Sequence, residues 1–215
     1  FPESYYVTTK FPDREEAGTP NILGAITLGS AIHVLDKIGM QNVLKDDTQL
    51  TNYCMQEMLQ IPEIVIYGCT DSCPRAGTIS FNAKQLNHGL VAAILNDYFN
   101  IAVRNECFCA HPYVEKMLHS THESQISELE CQDNHLLWKE EPWMGMVRAS
   151  FGIYNSKRDI NILMEALIKI INNKEYFESQ YILIEEGDYQ HKEFSFSSKD
   201  FFSLTGIIDQ DITTK

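Results

Sequence analysis

Apolar and small residues recur at positions 22, 25, 26, 29, 32, 35 and 38, a helical spacing that predicts a long amphipathic helix stopped by Gly39. The polar entry REEAGTPN (14–21) offers Thr19 as its N-cap and Pro20 as a tolerated first helical residue. A second helix is predicted over roughly 44–60, closed at the Ile61-Pro62 step because a residue before proline is pushed out of the helical region. The period then shortens. EIVIYG (63–68) and GTISFN (77–82) predict two strands, joined by a loop carrying Cys69, Cys73, Pro74 and Arg75. Asn87 is placed to cap a helix over 88–99, IAVR (101–104) predicts a third strand, and a short helix is expected from about Pro112 to His119. After a polar stretch (120–143), MVRASF (146–151) predicts a fourth strand, and Ser156 with Asp159 forms the capping box of a helix reaching about Ile171. Beyond it, only YILI (181–184) and EFSFS (193–197) carry weak strand character. Strands alternate with helices, so the fold class is α/β or α+β.

Composition narrows the function. The chain has 215 residues, with 17 basic and 30 acidic side chains, a formal charge of −13. Phosphate backbones are neutralised by clusters of Lys and Arg, so this balance argues against a nucleic-acid partner. No window approaches the roughly 18 uninterrupted apolar residues a membrane helix requires, and no membrane partner is expected. The opening FPESYYVTTK lacks the basic-then-apolar grammar of a secretory signal, and the six cysteines read as thiols of a cytoplasmic protein.

The densest reactive cluster is VRNECFCAHPY (103–113), directly after a predicted strand. In an extended backbone Cys107 and Cys109 would share one face, with Phe108 opposite. A thiol beside Arg104 and His111 is placed to be held partly as thiolate, the nucleophilic form; the same pair also reads as half-buried thiols at a strand end. Cys107, Cys109, His119, His122, Cys131 and His135 are ligand types for zinc, but their spacing fits structural zinc sites poorly, and no metal is expected. Cys69 and Cys73 read as incidental loop thiols. Arg148 lies inside an apolar strand, where its planar fork either grips a carboxylate in bidentate fashion or points to a polar strand face.

Four motifs in order, EAGTPN (16–21), RAGTISFN (75–82), VRNECFCAHP (103–112) and VRASFGIYN (147–155), resemble the C-terminal half of class V aminotransferase-fold enzymes, in particular the group II cysteine desulfurases and selenocysteine lyases. The resemblance covers about residues 14–171. It implies the C-terminal small domain of a fold-type I enzyme dependent on pyridoxal 5'-phosphate. Residues 1–39 would be the junction and linking helix from the large domain, 40–171 the small α/β domain and 172–215 a C-terminal extension. It further implies a homodimer acting on an amino acid, cysteine above all. Cys109 matches the family's catalytic cysteine, whose thiolate takes sulfur from the substrate as a persulfide and leaves alanine. Arg148 matches the arginine that grips the substrate carboxylate, and Thr19 a threonine that reaches the cofactor phosphate across the dimer interface.

In that family the lysine that holds the cofactor lies upstream of the GTPN motif, and only Lys10 precedes Thr19 here, in an unsuitable context. The pair His191-Lys192 falls after the small domain and reads as coincidence. The chain is therefore expected to be the C-terminal part of a longer enzyme, catalytically incomplete by itself and lacking its large-domain partner. An aminotransferase or another carbon-sulfur lyase would keep the arginine and use the cysteine differently. A non-catalytic dimerisation module is the remaining alternative.

Overall fold

The helical spacing at the start of the chain does fold as a helix, α1 (Ile22–Ile38), but its surface is not one-sided. Leu23, Leu28 and Val34 lie off the stripe that the spacing predicts, all are exposed, and no α1 residue is buried. Its N-cap is Asn21, whose side chain accepts from the Gly24 N–H at 2.9 Å, and not Thr19. Pro20 also stays outside the helix: its carbonyl accepts from Ile22 N–H at 2.9 Å, which moves the first turn two residues along. Gly39 ends α1 as expected, with φ of 86° and its N–H on the Leu35 carbonyl.

The computed structural model describes residues 7–16, 18–70, 75–122, 145–184 and 188–194, with the side chains of 119–122 left aside. Two compact units result, Phe1–Asp46 and Asp47–Lys215. Helix α2 (Met40–Met58) begins in the first and runs into the second. No single described helix is long and apolar enough to cross a membrane.

The second unit is α+β. Strands β1 (Ile64–Tyr67), β2 (Thr78–Ala83) and β3 (Val147–Ser150) form one antiparallel sheet in that order. Helices α3 (His88–Phe99) and α5 (Lys157–Asn172) carry its main apolar cover, Val91, Ile94 and Leu95 from α3 and Ile160, Leu167 and Ile170 from α5. They pack with Cys54 and Met58 of α2 against Ile79, Phe81, Val147 and Ala149 of the sheet. The caps are local chemistry: Asn87 accepts from Gly89 N–H at 2.7 Å, and the Ser156/Asp159 box is formed. Hydrogen bonds to Ser156 hold the Asp159 carboxyl below the usual carboxylate range.

Beyond α5, helix α6 (Lys174–Gln180) and the hairpin of β4 (Tyr181–Leu183) with β5 (Tyr189–His191) add Phe177 and Tyr181 to the same core. Weak strand character at 181–184 is thus realised over 181–183, whereas Phe194 is not in a strand and residues 195–197 lie outside the described residues. Tyr98 meets Phe177 edge-on at 5.1 Å, and His191 shares a 2.8 Å hydrogen bond with the Tyr98 hydroxyl. The Lys192 ammonium donates to the Ser179 carbonyl. Helix α4 (His111–His122) replaces the expected 112–119. IAVR is not a strand: only Arg104 pairs, as an isolated antiparallel bridge to Arg148, because the chain turns away at once. Cys69 is disulfide-bonded, which corrects the reading of that residue as a thiol; Cys73 and Cys131 lie outside the described residues.

Cys54 is fully enclosed, and burial, with a smaller contribution from Glu57, pushes its thiol from 9.0 up to about 12. The folded state therefore retains a proton that the unfolded chain releases, so this stabilisation is complete below about pH 9 and is lost as the pH rises through about 12. Urea midpoints should fall between about pH 8 and pH 11, and less steeply for Cys54→Ala; an identical slope in the variant would show that Cys54 is not the linked group.

Candidate functional site

The site begins with the pleat of the sheet. Successive strand residues point to opposite faces, so committing Ile79, Phe81, Val147 and Ala149 to the core sends Thr78, Ser80, Asn82, Arg148 and Ser150 to the other face. Register sets Ser80 directly opposite Arg148 on one side and Tyr67 on the other. Asn82 pins the entry to β3: its amide N–H donates to the Gly145 carbonyl at 2.8 Å and to the Tyr67 hydroxyl at 3.2 Å, while its oxygen accepts from Val147 N–H at 3.3 Å. Gly145 has no room for a side chain, since a Cβ there would stand 2.4 Å from the His88 ring. Burial holds His88 near 4, so it packs there as a neutral ring.

Arg104 joins this face as a fourth-strand stub. Its N–H donates to the Arg148 carbonyl at 3.2 Å, and Arg148 N–H returns a bond to the Arg104 carbonyl at 2.7 Å. The chain then folds back over 106–109 with Glu106, Phe108 and Cys109 at φ of 78°, 52° and 60°. Each non-glycine residue in this left-handed region costs about 1 to 2 kcal/mol. Two backbone bonds hold the turn, Met146 N–H to the Glu106 carbonyl at 3.1 Å and Ala110 N–H to the Cys107 carbonyl at 2.7 Å. The Ala110 carbonyl then accepts from Tyr113 and Val114, which starts α4.

This turn separates the two cysteines. Cys107 is buried in a small apolar cluster with Val114, Leu118 and Met146, whereas Cys109 is exposed, so the shared face expected of an extended backbone does not exist. Burial, then Glu106 and Glu115, push the Cys107 thiol up, which keeps it protonated and unreactive. Cys109 has the Arg104 guanidinium at 4.0 Å from its sulfur.

Arg148 is half-buried, with its guanidinium carbon 4.9 Å from the centre of the Phe108 ring. Its Nε is buried without a hydrogen-bond partner, and no carboxylate pairs with it among the described residues. A desolvated guanidinium with donors to spare is a receptor for a carboxylate. A cleft of about 320 Å³ is lined by Tyr67, Thr78, Tyr113, Met146 and Ser80, the last being the register partner of Arg148. Arg75 also borders the cleft but spends its donors on the Cys69 and Tyr67 carbonyls, at 2.8 and 2.9 Å.

Cys109 and Arg148 are therefore brought together through Phe108 and the Arg104 bridge. Thr19 stands in the first unit, exposed, its hydroxyl engaged in no hydrogen bond among the described residues. Of the residues of zinc-ligand type, Cys131 and His135 lie outside the described residues. Phe108 and Asn82 are contributors that sequence reasoning missed. Asn82 had a signal, its period-two place with Ser80 on the face away from the core; Phe108 had none, because its partner is forty residues away in the chain.

Comparison with known proteins falls on the same segment. The family model described as aminotransferase class-V matches residues 2–163. A probable cysteine desulfurase of Staphylococcus epidermidis is 31% identical over 174 residues, covering 79% of this chain and 34% of the relative. A probable cysteine desulfurase of Halalkalibacterium halodurans is 33% identical over 171 residues, 78% of this chain and 34% of the relative. The chain thus spans about a third of the length of these relatives. The apo structure of a cysteine desulfurase from Thermococcus onnurineus NA1 superposes with a TM-score of 0.60 at 30% identity, covering 75% of this chain and 34% of that one. The Escherichia coli desulfurase CsdA, at 22% identity and a TM-score of 0.58, shares the fold over 75% of this chain and 33% of its own.

Iodoacetamide at neutral pH should label Cys109 well before Cys107 or Cys54, read by peptide mass spectrometry. Equal labelling of Cys107 and Cys109 would contradict the division of the two thiols between core and solvent.

Proposed function

Since the chain belongs to the class-V aminotransferase family, we propose that it is the C-terminal part of a pyridoxal-phosphate-dependent cysteine desulfurase, converting L-cysteine to L-alanine with the sulfur retained on Cys109. The observation that carries this reading is one turn that presents an exposed thiol beside Arg104 and, one residue earlier, a ring against a guanidinium that pairs with no carboxylate among the described residues. An amino-acid substrate needs both functions within its own length.

Pyridoxal 5'-phosphate, the cofactor of the family, supplies when bound an electron sink for bonds next to the substrate's amino carbon. From this chain Thr19 fits it, as an exposed hydroxyl with no hydrogen-bond partner among the described residues, available to donate to the phosphate across a homodimer interface. The rest of its shell, including the lysine, we assign to a preceding large domain, in keeping with the share of the relatives' length that this chain spans.

The residues of the second unit divide the work. Arg148 donates two N–H groups to the substrate carboxylate, which fixes the amino acid's orientation and relieves the unpaired Nε. Cys109, as thiolate, attacks the substrate sulfur: a sulfur-sulfur bond forms, the carbon-sulfur bond breaks, and the carbon skeleton leaves as alanine once a proton is taken up. Arg104 offsets the charge on Cys109 before the attack and on the persulfide after it. Cys107 stays in the apolar cluster throughout and takes no part.

In the complete enzyme, Cys109→Ser should abolish the gain of one sulfur atom on the protein, followed by mass spectrometry, while the cofactor's visible absorption is unchanged. Loss on Cys107→Ser with retention on Cys109→Ser would reverse the assignment. If neither change matters and amino-group transfer to a keto acid is found instead, the chain serves an aminotransferase. Arg148→Lys, which keeps the charge but loses the planar fork, should lower kcat/KM for L-cysteine by about 2 to 4 kcal/mol, roughly 30- to 1,000-fold. Unchanged kcat/KM would remove Arg148 from the substrate site.

A further inference from the structure

We infer that Phe108 is a positioning residue: its ring holds the Arg148 guanidinium ready for the substrate carboxylate and ties that grip to the turn bearing Cys109. The inference rests on the reading of Arg148 as the carboxylate receptor. A long arginine side chain needs something to hold it, and neither a hydrogen bond to its Nε nor an ion pair does so among the described residues. What the guanidinium does have is the face of Phe108, 4.9 Å from the ring centre to the guanidinium carbon. Stacking on a ring leaves the in-plane N–H groups of an arginine free, so the contact that fixes the side chain does not occupy its donors.

The ring is itself fixed from behind. Its neighbour Cys107 is buried with Val114, Leu118 and Met146, and Phe108 packs partly against the same cluster. The backbone on either side is tied down by the Glu106 carbonyl on Met146 N–H and the Cys107 carbonyl on Ala110 N–H. Phe108 therefore lies between two anchored points, and Cys109 follows it directly. Substrate carboxylate and attacked sulfur are ends of one small molecule, so a single ring that locates one receptor relative to the other sets the distance the substrate has to span.

The test uses the complete holoenzyme and steady-state kinetics with L-cysteine. Phe108→Leu keeps an apolar side chain on the same backbone but removes the ring face; it should raise KM roughly 3- to 30-fold with a smaller change in kcat. Phe108→Tyr, which restores the face, should return KM to near the original value. In an Arg148→Ala background, Phe108→Leu should have no further effect on KM, because the group it positions is gone. An independent readout is ligand binding followed by the cofactor's absorption: Phe108→Leu should weaken L-alanine and leave ethylamine, which has no carboxylate, unaffected. If Arg148→Ala raises KM but Phe108→Leu does not, or if Tyr fails to rescue, or if the Leu penalty persists without Arg148, the inference is overturned while the reading of Arg148 stands. If Arg148→Ala leaves KM unchanged, that reading falls and the inference with it.

Discussion

The arrangement depends on one constraint, the two-residue alternation of a strand only four residues long. β3 (Val147–Ser150) gives Val147 and Ala149 to the core, so the pleat leaves Arg148 no choice but the opposite face. A register slip of one residue would bury the guanidinium against Phe81 and expose two apolar side chains, a cost far above that of any contact in the site. Asn82 guards against the slip by gripping the backbone on both sides of Met146, and Gly145 admits the close approach of His88 just before it. Everything at the site is referenced to that register, including the stub at Arg104 and the turn that follows it.

Two arginines facing one another across this ladder are a liability in a chain with a net charge of −13, where acidic partners are plentiful. Neither takes one among the described residues. Arg148 lies against an aromatic face and Arg104 near a sulfur, contacts that soften the repulsion without neutralising either charge. A net negative chain repels polyanions at long range, whereas guanidinium groups with no acidic partner nearby attract an anion only at short range.

How much of this was legible depended on how local each cause is. The caps at Asn87 and Ser156/Asp159, and the pause at Gly39, are written in neighbouring side chains, and they form as read. Thr19 and Asn21 are both competent caps two residues apart, and only the turn around Pro20 decides between them. The sequence marked RAGTISFN and VRASF as strands but left the direction of Arg148 open; it is settled by the neighbours Val147 and Ala149 entering the core. The cysteine pair was misplaced because left-handed backbone at Glu106, Phe108 and Cys109 leaves no glycine to announce it. The stacking of Phe108 on Arg148 is invisible in sequence for a plainer reason: hydrophobic patterning says that a phenylalanine will be covered, never by what.

The same turn constrains how such a sequence is able to diverge. Between Arg104 and Ala110 the chain is fastened at both ends and once in between, and three successive side chains go to the apolar cluster, to the arginine and to solvent. Side-chain identities within that interval are open to exchange, since each destination asks only for a chemical type. Its length is not. Inserting or deleting a single residue would rotate the assignments, carrying the exposed thiol inward and the apolar one out, so drift in this segment should proceed by substitution at constant spacing.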